Sequence, residues 1–125
     1  MLEIVGRLSP QKKLSLYSAA IIADVNDGVA SSSAVYKLYQ TVCEATGDNP
    51  YTQETVNRHL KSAGTYGVLE NSITSEGFKR GINLQFTFTV PVDAVINTLE
   101  KSSSTFDSIE LSKIRSHARA ILSKS

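Results

Sequence analysis

Cysteine is almost missing from this chain. The single thiol, Cys43, cannot form an intrachain disulfide, so no disulfide framework holds the fold, and this usage fits a reducing cytoplasm. No apolar run approaches the roughly 18–20 residues of a membrane span, and the N-terminal MLEIVGRL lacks the long apolar core of a signal peptide. Neither sign of charge dominates: 13 basic residues face 12 acidic ones, for a formal charge of +1. A global attraction for polyanions is thereby excluded, and any nucleic-acid contact has to come from locally placed charge. Material for catalysis is equally sparse. His59 and His117 fall on different predicted helices, without metal-ligand spacing to each other or to Cys43. The glycines at 64, 67, 77 and 81 fit neither a P-loop nor a dinucleotide fingerprint, and no serine stands in a GxSxG context. The stretch Asp24-Val25-Asn26-Asp27-Gly28 is not a calcium loop, because its glycine comes one position early and Val35 stands where the bidentate glutamate belongs. No catalytic residue, metal or cofactor is expected in these residues.

What is present suits one folded domain: 125 residues, 41% hydrophobic and 20% charged. Residues 1–8 read as the remnant of a connection. Ser9-Pro10 starts a helix running to about Asp24, with Leu14, Tyr17, Ile21 and Val25 spaced for burial. Asn26-Asp27-Gly28 ends it, and Ser31 to Ser33 read as a polar spacer. A second helix, about Ser33 to Thr46, carries the stripe Val35, Leu38, Tyr39, Val42; Cys43 belongs to its packing.

The stretch Tyr51–Gly67 carries the strongest local signals. Thr52 is a good N-cap, Tyr51 and Val56 are placed as a hydrophobic staple, and Val56, Leu60 and Ala63 mark a buried side. Glu54, Thr55, Asn57, Arg58, Lys61 and Ser62 face away from it, and Gly67 is the expected left-handed stop. Strands follow at 68–73 and 82–90, the second alternating Ile82, Leu84, Phe86, Phe88, Val90 with polar residues around a tip that holds Lys79 and Arg80. Pro91 opens a fourth helix to about Glu100; Lys101 to Thr105 read as a serine-rich hinge, and a last helix covers about Asp107 to Leu122. The fold class is α+β, mainly α: a winged helix-turn-helix over 9–100 with a two-stranded wing, and a C-terminal helical extension over 101–125.

Such a third helix suits the major groove of double-stranded DNA. Asn57 matches an adenine edge and Arg58 a guanine edge; Thr52, Gln53 and Thr55 suit phosphates or bases, and Lys61 shares their face. Lys79 and Arg80 suit phosphates or an adjacent minor groove.

The runs LSPQKKLSLYSAAI at 8–21, AVYKLYQTVCEATGDNPYTQETVNRHL at 34–60 and YGVLE at 66–70 resemble the C-terminal winged-helix domain of the archaeal origin-recognition (Orc/Cdc-type) replication initiators, over about residues 8 to 100. The resemblance implies a non-catalytic module of a larger initiator whose preceding ATPase domains would bind ATP. It also implies a third helix in the major groove of origin DNA and a wing in the neighbouring minor groove. Carried over, it puts Thr52, Gln53, Thr55, Asn57, Arg58, Lys79 and Arg80 at DNA. Family members often carry a basic pair early in the third helix, where this chain has Glu54 and Thr55. A carboxylate near phosphates weakens binding unless it accepts from a cytosine amino group. Two other readings stay open: a winged helix used for protein contacts, and a transcription regulator that self-associates through 107–122.

Overall fold

A computed structural model of the chain describes residues 5–75 and 82–123, with backbone alone for 72–75 and 82–83. The elements are α1 (Pro10–Asp24), β1 (Val29–Ser31), α2 (Ser32–Thr46), α3 (Gln53–Gly64), β2 (Leu69–Ser75), β3 (Ile82–Phe88), α4 (Val92–Ser102), a 3-10 turn (Ser104–Ser108) and α5 (Leu111–Ser123). The strands form one antiparallel sheet in the order β1-β3-β2. This is a winged helix, mainly helical, as the pattern of elements leads one to expect.

The hub is α1. Every residue from Lys13 to Ala23 is buried, so this helix is enclosed all round instead of resting on one stripe. Its small residues permit this. Ser15 and Ser18 donate to the Gln11 and Leu14 carbonyls (3.1 and 2.9 Å), so two hydroxyls enter the core without an unmet hydrogen bond. Ser9 occupies the N-cap position, yet its side chain makes no cap bond; Pro10 supplies the preset backbone at the first helical position.

The expected spacer at 31–33 is a strand and a helix start instead. Val29, Ala30 and Ser31 pair with Thr87, Phe86 and Gln85, so the wing's sheet has three strands. Three residues carry no readable alternation; the ladder comes from the free edge of β3. In β2 and β3 the register runs from Leu69↔Phe88 to Ser75↔Ile82. Phe86 is wholly buried, and Leu84, Phe88 and Val90 are half-buried on the same side.

The chain's ends belong to the same core. Val5 is 1% exposed, so the stretch read as a linker remnant contributes to packing from that residue on. The serine-rich segment is no loose hinge: α4 runs on to Ser102, and the 3-10 turn buries Phe106 against the Tyr17 ring (centroids 4.7 Å apart). Tyr17 also donates its hydroxyl to Glu100 Oε2 at 3.1 Å, and burial followed by that carboxylate holds its phenol well above the usual range. Helix α5 begins at Leu111, four residues later than the start expected near Asp107. It packs on α2 and α1 through Ile114 and Ala118, and Arg115 Nε meets Asp24 Oδ2 at 2.8 Å. Ile114 and Ala118 are therefore spent inside the domain, which removes them from any self-association surface over 107–122. Among the described residues, no helix is long and apolar enough to cross a membrane.

Candidate nucleic-acid interface

Helix α3 starts where its sequence says it should. Thr52 has extended backbone, and its hydroxyl accepts from the Thr55 N–H at 3.3 Å, satisfying one of the free donors of the first turn. Glu54 lies exposed in that turn, where the helix dipole favours a carboxylate. Val56, Leu60 and Ala63 are buried, at the spacing read from the sequence. The helix ends at Gly64, with Thr65 still right-handed at the cap; Gly67 does take the left-handed conformation (φ 77°), but three residues further on, in the turn to β2. Gly64 has a different reason to be glycine. A Cβ there would stand 3.2 Å from the Leu69 carbonyl oxygen, so the position lets the wing's first strand close on the helix end.

On the outer side, Thr52, Thr55 and Arg58 form a ladder at three-residue steps. The two threonine hydroxyls are 3.0 Å apart, and Arg58 Nη2 donates to Thr55 Oγ1 at 3.3 Å. Lys61 is exposed one step further on and borders an open groove lined with Gly64, Thr65, Leu69, Glu70 and Asn71. That groove joins the end of α3 to the root of the wing. Gln53 is exposed but donates Nε2 to Ser32 Oγ (3.0 Å), and Asn57 is half-buried, its Oδ1 accepting from the same hydroxyl (2.7 Å). Asn57 thus leans toward α2 instead of facing fully outward. Lys79 and Arg80 lie outside the described residues.

Two tyrosines of α2, whose hydroxyl bonds the sequence did not reveal, hold this helix in place. Tyr36 donates its hydroxyl to the Tyr51 carbonyl (2.8 Å); Tyr39 accepts from the Tyr51 N–H (3.0 Å) and donates to Gln11 Oε1 (2.7 Å). The available signal was their chemistry: Tyr39 on the packing stripe and the half-buried Tyr36 bring hydroxyls that need partners where phenylalanines would pack as well. Burial pushes the Tyr39 phenol up to about 12 and also raises the Cys43 thiol, so both stay neutral at physiological pH. Tyr51 itself is 46% exposed, and its ring is tilted against the His59 ring.

His59 joins α3 to α1 through a 3.0 Å bond between Nδ1 and the Ser15 hydroxyl. Burial, then Lys12 and Arg58, lower its pKa below the ordinary 6.5. The unfolded chain therefore takes up this proton first as pH falls. Its contribution to stability is complete above about 6.5 and declines below that until the folded imidazole also protonates. Melting temperature should fall over this window in the wild-type chain, and His59→Gln should flatten that slope. An identical slope in the variant would refute the assignment.

The match to known proteins falls on this architecture. Residues 3–98 match the family model described as the CDC6, C-terminal winged helix domain. The chain belongs to that family. Among curated relatives, the ORC1-type DNA replication protein 14 of Haloarcula marismortui is 35% identical over 83 residues, covering 64% of this chain and 19% of the relative. The ORC1-type DNA replication protein 5 of Halobacterium salinarum is 33% identical over 90 residues, covering 70% of this chain and 21% of the relative. The chain therefore spans about a fifth of the length of these relatives (19% and 21%). In structure, the winged helix resembles the Aeropyrum pernix ORC1 protein solved in complex with DNA, with a TM-score of 0.72 at 23% identity over 80% of this chain and 26% of that one. That likeness establishes the fold. The family match ends before the 3-10 turn and α5, which nonetheless pack into the same core.

Proposed function

We propose that this winged helix binds double-stranded DNA as a module of an archaeal replication initiator, with α3 in the major groove and the wing at the adjacent minor groove and phosphates. The observation that carries the reading is the Thr52–Thr55–Arg58 ladder on the outer side of α3, continued by Lys61 into the groove at the wing's root. It puts hydroxyls at the helix N-terminus, suited to phosphate, and a guanidinium further along, suited to a guanine edge. The ORC1 neighbour, itself solved with DNA, makes duplex DNA the partner to test first. The chain supplies no catalysis in this role; ATP would be bound by ATPase domains of the same initiator. A cytoplasmic setting accords with the free thiol at Cys43.

Alanine variants separate the parts. Arg58→Ala is expected to lower discrimination between enriched and scrambled duplexes by about 1–3 kcal/mol. The two wing cations are neighbours in sequence and can stand in for each other at a phosphate, so they are changed together. Lys79→Ala plus Arg80→Ala should weaken all duplexes alike and reduce the salt slope by about 2. Anisotropy titrations across a salt series read both quantities. Unchanged binding in both variants would defeat the proposed surface.

A further inference from the structure

Ser32 is the first residue of α2 and 7% exposed, yet its hydroxyl reaches two residues on the outer part of α3. It donates to Asn57 Oδ1 at 2.7 Å and accepts from Gln53 Nε2 at 3.0 Å. A serine hydroxyl carries one proton, so two amides bound to it in this way take opposite roles. Asn57 turns its carbonyl inward and keeps its NH2 for the outside; Gln53 turns its NH2 inward and keeps its carbonyl. We propose that Ser32 is a positioning residue for sequence recognition, fixing Gln53 as an acceptor and Asn57 as a donor on the groove side of α3.

This rests on the DNA reading above and deepens it. Bidentate recognition of adenine needs the donor and the acceptor of one amide turned together to the base edge, and here the serine bonds turn the Asn57 oxygen and the Gln53 nitrogen inward. Asn57 thus acts as a single donor, matched to a purine N7, a guanine O6 or a thymine O4. Gln53 acts as a single acceptor, matched to the amino group of adenine or cytosine. Because the two side chains are held before DNA arrives, their ordering costs less on binding, and the wrong base meets a group that does not turn to suit it.

The test uses the full chain and duplexes it enriches from a random pool, with a scrambled duplex of the same composition as reference. Both are titrated by fluorescence anisotropy across a salt series. Ser32→Ala should reduce the enriched-over-scrambled affinity ratio roughly tenfold, leaving scrambled-duplex affinity and salt slope unchanged, while Ser32→Thr restores the ratio. In a Gln53→Ala, Asn57→Ala background, Ser32→Ala should change the ratio no further, which a serine with only a packing role would not satisfy. Should Ser32→Ala fail to fold, Ser32→Cys takes its place, close in size and weaker as a donor. An unchanged ratio overturns the proposal and leaves DNA binding intact, as does a wild-type chain that binds duplex without enriching any sequence. A wild-type chain that binds no duplex overturns both.

Discussion

A chain ended after Ser103 is expected to lose about 4–7 kcal/mol of stability, because Phe106 and Ile114, both buried, contribute roughly 1.5–3 kcal/mol apiece and Ala118 adds up to about 1. Phe106 is the ring that closes over Tyr17 on the central helix, and Ile114 and Ala118 seat α5 on the rest of the domain. A domain of ordinary stability, about 5–15 kcal/mol, has little left after such a loss. Thermal melting followed by circular dichroism should show a midpoint lowered on the order of 15 °C, or no cooperative transition at all. A midpoint within a few degrees of wild type would mean that the C-terminal elements are an appendage, and their apolar residues would then be free for another chain.

The second large effect is on binding. Arg58→Glu with Lys61→Glu reverses two exposed cations on the outer face of α3. Affinity for duplex DNA should fall on the order of 100-fold near 0.1 M salt, because Arg58 no longer reaches a base edge and two carboxylates now face the phosphates, and the salt slope should shrink by at least about 1 as the Lys61 charge is lost. Folding should lose no more than about 1 kcal/mol, from a carboxylate one turn from Glu54 and another in the helix's last turn. Both side chains are exposed, and the bond from Arg58 to Thr55 lies at the surface, where such contacts contribute little. Duplex affinity within about threefold of wild type, with cooperative melting retained, would remove α3 from the binding surface and favour the protein-contact reading.

How much of this was legible beforehand depended on whether a signal was local. The cap at Thr52 and the buried row Val56, Leu60, Ala63 were readable, because both depend on residues within two turns of one helix. The wing strands were readable from the alternation through Phe86 and Phe88. By contrast, α1 looked one-sided, because serine and alanine carry no preference strong enough to announce burial on every side. Strand β1 was invisible for a related reason: Val29-Ala30-Ser31 becomes a strand only when the edge of β3 is beside it. The polar residues of α3 could be named from the sequence, but not how their side chains are arranged. Ser32 lies 21 and 25 positions from the amides it holds, and no pattern within α3 reveals that two of its polar side chains are already engaged.

The short edge strand has a mechanical meaning. Residues 29–31 are laced to the outgoing limb of the hairpin, and the very next residue, Ser32, grips the helix proposed to enter the groove. No slack peptide separates the two attachments. The root of the hairpin and the helix are therefore tied together through one short stretch of chain, and on the reading proposed here a duplex with grooves of another spacing has to bend or twist to fit.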